Sequence, residues 1–165
     1  MNNKVCSFFG HSKIGEKENL RESIFEYLKT MIKKGFERFL FGGFGEFDNL
    51  CYEVVSKLQK EYPHIKRIYV LCEEKDIQKL KTGRISFVNE YDEAVYFPLR
   101  YDYWYTRIYY RNCEMIDHSD HIIFYAENRK ESGAYKALKY ALKMKKEIIN
   151  FLKIKRHQEV SFIIA

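Results

Sequence analysis

The chain is poor in the features that would take it out of the ordinary soluble class. No apolar run approaches the roughly 20 residues needed to span a bilayer, which excludes a membrane helix on composition. The opening Met1-Asn2-Asn3-Lys4-Val5-Cys6 lacks the longer apolar region and small-residue cleavage site of a secretory signal. A cytoplasmic location without a membrane partner is the expectation. Proline occurs only twice, and no segment is repeated or of low complexity. A chain of 165 residues supports one well-buried core and is too short for two full domains. Residues 1–165 are therefore expected to form a single domain, with 153–165 as a C-terminal tail or edge strand.

Cysteine is scarce as well. Cys6, Cys51, Cys72 and Cys113 each sit in or beside an apolar run, so they read as small buried hydrophobes and not as a disulfide framework. A zinc site would need Cys113, His118 and His121, whose C-x4-H-x2-H spacing matches no common template. Neither a metal nor a cofactor is expected. The phosphate fingerprints G-x-G-x-x-G and G-x-x-x-x-G-K-[ST] are both missing. The net charge of +6 favours anionic partners without choosing among nucleotides, nucleic acid and membrane. The lysines are spread over several segments, which points first to solvated helix faces.

What the chain does contain is a pair of glycine turns, each closing an apolar run. Phe8-Phe9-Gly10-His11-Ser12 follows the first run, and Phe41-Gly42-Gly43-Phe44-Gly45-Glu46-Phe47-Asp48 follows the second. Where strands and helices alternate, such turns bring backbone N–H groups and helix N-termini to one sheet edge, a place to hold phosphate or ribose.

Alternation is what the pattern predicts. Lys4–Phe9 reads as a buried strand, and Leu20, Ile24, Leu28, Met31 and Ile32 recur at helical spacing before Gly35. Arg38–Phe41 is a second strand, and Leu50, Val54, Val55 and Leu58 mark a second helix that ends before Tyr62-Pro63. Ile65–Cys72 is a third strand. A short polar helix over Asp76–Lys81 and extended pieces at Ile85–Val88 and Ala94–Phe97 follow. Tyr103–Asp117 is then a helix, His121–Tyr125 a strand, Gly133–Lys145 a helix and Glu147–Leu152 a last core strand. Val160–Ala165 could add an edge strand or a contact. The whole is an α/β, Rossmann-like three-layer fold, a mainly parallel sheet with helices on both faces.

Ligands of open α/β sheets sit at the carboxyl ends of the strands, which selects the candidate site. Gly10 turns the chain there while His11 and Ser12 offer a ring nitrogen and a hydroxyl; a plain solvated loop is the bland alternative. Gly42, Gly43 and Gly45 permit close backbone approach to a ligand, and Asp48 could bond a ribose hydroxyl or simply cap the helix. Arg107 and Arg111 are four residues apart on one helix face, able to clamp a phosphate or stack on a base. Tyr105 and Tyr109 form a parallel stripe, either core or base platform. Ser132 is a candidate cap and Gly133 leaves N–H groups open for an oxygen ligand.

In this order the segments resemble the YpsA-like branch of the SLOG superfamily, named for the Smf/DprA and LOG proteins. The similarity runs from about Val5 to Phe151 and is carried by Phe8–His11, Phe41–Asp48, Arg111–Asp120 and Ser132-Gly133-Ala134 ahead of Tyr140-Ala141. The resemblance implies a Rossmann-like domain binding nucleotides or nucleotide-derived ligands, and a homo-oligomer. LOG members are phosphoribohydrolases with an arginine in R-K-x-x-M and a glutamate in P-G-G-x-G-T-x-x-E. Arg111 and Met115 match the first motif, with Asn112 in place of its lysine, while the glutamate position falls near Ala137. Without a carboxylate there, N-glycosidic cleavage lacks its acid/base partner. Binding of a nucleotide-derived small molecule, as sensor, carrier or sequestering protein, is the leading expectation. The alternatives are a nucleotide or nucleoside hydrolase using Asp48, Glu46 or Glu131, and DprA-like binding of single-stranded DNA.

Overall fold

The computed structural model describes residues 3–15, 17–87, 89–101, 103–129 and 132–153. Six strands form one all-parallel sheet in the order β4-β3-β2-β1-β5-β6. They are β1 (Lys4–Gly10), β2 (Phe36–Phe41), β3 (Lys66–Leu71), β4 (Glu93–Tyr96), β5 (His121–Tyr125) and β6 (Ile148–Asn150). The helices between them are α1 (Lys17–Lys33), α2 (Glu46–Glu61), α3 (Lys75–Lys81), α4 (Arg107–Asp117) and α5 (Gly133–Lys143).

A parallel strand needs a crossover to reach its neighbour, and the crossover helices cover both faces, so central strands are apolar on both sides. β1 and β5 follow this rule. Cys6, Phe8, Ile123 and Tyr125 enter one core with Ile24 and Leu28 of α1 and Leu50, Val54 and Leu58 of α2. Phe9, Ile122 and Phe124 enter the other, with Met115 and Ile116 of α4 and Ala137, Leu138 and Ala141 of α5. Phe39 and Phe41 of β2 stack beside Phe8 of β1, with ring centroids 6.2 and 5.0 Å away respectively.

The α/β layering is as expected from the pattern, and the departures are local. α4 begins at Arg107 and not at Tyr103: the Thr106 N–H bonds the Tyr103 carbonyl in a turn, and Tyr103 and Tyr105 stack on each other at 5.7 Å. Residues 85–87 form no strand; β4 takes the edge beside β3, pairing Ile68 with Glu93 through Leu71 with Tyr96. The last strand is cut to Ile148–Asn150, where Asn150 bonds the backbone of Ala126 from both ends of its amide. Val160–Ala165 lies outside the described residues. No helix of the described residues is long and apolar enough to cross a membrane.

Core burial should show directly in stability. Leu28→Ala empties a fully buried position and is expected to cost about 2–5 kcal/mol. Leu142→Ala, on the exposed face of α5, should stay within about 0.5 kcal/mol of wild type. Urea unfolding of the two variants checks the pair.

Candidate functional site

Strand order reverses at β1, with β2 on one side and β5 on the other, and an open parallel sheet forms its ligand crevice outside the carboxyl ends at such a point. A cavity of about 760 Å³ lies there. It is walled by the turn after β1 (Gly10, His11, Ser12), the turn after β2 (Gly42, Gly43, Phe44), Cys72 beyond β3, and the loop and first turn leading into α5 (Arg129, Ser132, Gly133, Ala134). Asp48 of α2 and Ile108, Arg111 and Asn112 of α4 close the remaining sides.

The floor is polar and almost closed to solvent. Arg111 is buried, its guanidinium donating to the Gly42 carbonyl at 3.1 Å and to Asn112 Oδ1 at 3.1 and 3.3 Å. The approach is so close that a Cβ on Gly42 would lie 2.6 Å from Arg111 Nη2. Gly43 holds φ +74, a conformation costly for any residue with a Cβ, and this turns its N–H onto Asp48 Oδ2 at 3.1 Å. Asp48 is therefore a turn clasp in the first turn of α2, and Gly45 stands at the N-cap instead. Burial pushes the Asp48 carboxyl up to about 7, against the opposing pull of the Arg111 charge and the Gly42 and Gly43 N–H groups. A protonated Asp48 leaves the Arg111 charge unbalanced, and a buried cation calls for an anion.

At the opposite wall a hydrogen-bond chain dictates a proton position. The Glu127 backbone N–H can only donate, and it reaches His11 Nε2 at 2.9 Å. The ring must then be a lone-pair acceptor at Nε2 and carry its proton on Nδ1, 3.3 Å from Ser132 Oγ. His11 is kept neutral chiefly by burial and then by the Arg129 charge, both of which lower its pKa, with Glu127 opposing. Ser132 Oγ also takes the Tyr135 N–H at 3.3 Å as N-cap of α5. Both lone pairs of Ser132 Oγ are thus engaged, which leaves its own O–H as a donor, and Ser132 lines the cavity.

Nine sequence-selected residues meet at the cavity: Gly10, His11, Ser12, Gly42, Gly43, Asp48, Arg111, Ser132 and Gly133. Three do not. Gly45 stands at the N-cap of α2, Tyr105 is largely exposed in the 103–106 turn, and Arg107 is ion-paired with Glu73. A step of four residues leaves Arg111 about 40° around α4 from Arg107, which is enough to send Arg107 to the segment after β3 while Arg111 faces the floor. Of the alternative carboxylates, Glu46 holds the Ile14 N–H and Lys17 outside the cavity, and Glu131 lies outside the described residues. Cys72 is half-buried on the cavity wall, unlike the other three cysteines. Tyr69, Asn112 and Arg129 were not selected; the carboxyl-edge rule applied to β3 and β5 would have pointed to the neighbourhoods of Cys72 and Arg129.

The YpsA family model, described as the YspA SLOG family, matches residues 7–157. The chain belongs to this family. No curated protein matches it in sequence. Among solved structures, that of TM1055, a structural genomics target, is similar with a TM-score of 0.58 at 15% identity, covering 96% of this chain and 82% of that one. The molybdenum cofactor carrier protein from Chlamydomonas reinhardtii has a TM-score of 0.56 at 16% identity, over 90% and 76% of the two chains. DNA processing protein A from Streptococcus pneumoniae has a TM-score of 0.51 at 13% identity, over 88% of this chain and 48% of that one. These likenesses show a shared Rossmann-like fold, and the family match places the chain among the SLOG proteins.

The raised Asp48 has a definite sign in stability. The native state keeps a proton that the unfolded chain loses near pH 4, so Asp48 makes stability fall as pH rises from about 4 to about 7. Asp48→Asn keeps the acceptor for Gly43 and cannot ionise. The variant is expected to gain on wild type across that window, by up to about 1.4 kcal/mol per pH unit, and to run parallel above it. Urea midpoints at pH 4, 5.5 and 7 measure the divergence.

Proposed function

We propose that the cavity binds a nucleotide or nucleotide-derived ligand, and that the protein acts as a sensor, carrier or sequestering protein for it. Membership of the SLOG family supports a ligand-binding role in general. The observation that carries the finer reading is the pairing of two donor-only ends in one cavity: the buried Arg111 on the floor, and the Ser132 O–H with the N-terminus of α5 on the wall. Both ask for oxygen acceptors or negative charge, as phosphate and ribose groups supply. Between them, Phe44 and Ile108 are exposed apolar side chains at the mouth, suited to lie against a base. Carriage of a small molecule is also what the structurally similar molybdenum cofactor carrier protein is named for.

Native mass spectrometry of freshly purified protein, followed by a thermal-shift panel of mono-, di- and cyclic nucleotides, tests the reading. A bound nucleotide mass, or a rise in Tm that saturates with one panel member, is expected. Ser132→Ala removes the hydroxyl donor and one cap bond; affinity for that ligand should drop about 5- to 20-fold while the fold persists. An empty protein indifferent to the whole panel would overturn the proposal.

The hydrolase reading has one observation of its own. Asp48 lines the cavity with a carboxyl titrating near neutrality, as a general acid or base requires, whereas Ala137, at the LOG glutamate position, is sealed in the core between α5 and the sheet. Release of free base on incubation with nucleoside monophosphates, lost in Asp48→Asn, would favour hydrolysis over binding alone.

A further inference from the structure

A single peptide unit on the cavity floor is held from both ends. The Gly42 carbonyl accepts from Arg111 Nη1 at 3.1 Å, and the N–H across the same amide bond, that of Gly43, donates to Asp48 Oδ2 at 3.1 Å. The amide is planar and moves as one piece, so its orientation decides at once what the cation and the carboxyl are given. Both flanking residues are glycines, and Gly43 holds φ +74. Turning the amide over about its Cα–Cα axis shifts that φ by about 180°, into the negative range open to every residue. No Cβ stands in the way on either side, and both glycines line the cavity, which gives the oxygen room to swing.

The two orientations suit two protonation states. As found, the amide serves an ionised Asp48, which accepts the N–H groups of Gly42 and Gly43, while the Arg111 guanidinium holds only neutral acceptors, the Gly42 carbonyl and Asn112 Oδ1. A protonated Asp48 is a donor as well, and those two N–H groups offer its proton nothing. Turned over, the amide gives its carbonyl to that proton and takes it away from Arg111. The Gly43 N–H and the guanidinium are then donors without an acceptor, a combination that an oxyanion satisfies. The other titratable groups that feel the Asp48 charge are Tyr69 of β3, Tyr91, and Cys51 on its own helix; burial raises all three, so they stay neutral and Arg111 is the charge that Asp48 answers. Burial also brings the exchange on Asp48 to about pH 7. We infer that the Gly42–Gly43 amide is a two-position element through which the cavity takes up an oxyanion together with a proton: the oxyanion on Arg111 and the turned Gly43 N–H, the proton between Asp48 and the Gly42 carbonyl. The inference rests on the proposal that this cavity takes a nucleotide or nucleotide-derived ligand, and adds that the ligand's charged group is held more tightly in acid than in alkali.

Inorganic sulfate, whose charge is constant near neutrality, is the probe, with chloride as the ionic-strength control. In calorimetric titration of the full chain, Kd should rise about 10- to 30-fold from about pH 6 to about pH 8.5, as the protonated fraction of a group titrating near 7 is lost. About one proton should be taken up per sulfate at the higher pH. Asp48→Asn, whose amide N–H replaces the carboxyl proton, should bind at both pH values as wild type does at the lower one. A crystal structure grown with sulfate at about pH 6 should show the Gly42 carbonyl on Asp48 and the Gly43 N–H on the sulfate. Sulfate on Arg111 with the Gly42 carbonyl still on the guanidinium overturns the inference, even where affinity falls with pH. Equal affinity at the two pH values, or no sulfate binding at either, overturns it as well. A nucleotide that saturates the protein equally at both pH values leaves the nucleotide reading standing and sinks this one; sulfate bound to the turned amide in a protein that ignores every nucleotide does the reverse.

Discussion

Parallel pairing constrains this molecule more than any other interaction. Six strands that all run the same way end at the same edge, so each crossover begins with a turn at that edge. Because helices must cover both faces to bury Phe8 and Ile123 on one side and Phe9 and Phe124 on the other, strand order has to reverse somewhere. The reversal at β1 parts the turns after β2 and β5, and the crevice left between them becomes a cavity of about 760 Å³. Its place follows from topology before any side chain is considered.

Side chains then decide its chemistry. At the floor, Asp48 and Arg111 are both buried, and burial raises the Asp48 carboxyl to about 7 against the opposing pull of the Arg111 charge. At the wall, a backbone N–H from the segment after β5 sets the tautomer of His11, and that tautomer sets the direction of the Ser132 hydroxyl. Neither arrangement needs a glycine-rich fingerprint; each needs two turns from distant parts of the chain to lie within hydrogen-bond reach. The frame itself tolerates wide sequence change, since solved structures near 15% identity share it. What burial asks of a strand is apolar character on both faces, and many side chains meet that.

Much of this was legible in the residues. Runs such as Lys4–Phe9 and His121–Tyr125, spaced by helical repeats, gave the strand-helix alternation, and the turns closing them identified eight cavity-lining residues, with Arg111 added by helical spacing. The aromatic run before Arg107 misled. Helical spacing extended α4 back to Tyr103, where ring stacking and a Thr106 turn hold the chain instead. Arg107 and Arg111 looked equivalent at a spacing of four, yet Glu73, brought alongside by the segment after β3, takes the first. The segment 85–87 looked extended, yet it is β4 that pairs with β3.

By itself the sequence determined the layer order, the apolar strands and the edge on which the glycine turns must gather, because periodicity and burial are local properties of the chain. Tertiary structure alone decided that Asp48 clasps Gly43 and does not cap its helix, that Arg111 and not Arg107 reaches the floor, and that His11 and Ser132 act as one donor chain. Each of those outcomes rests on a contact between residues far apart in sequence, whose distances and desolvation exist only once the sheet has closed.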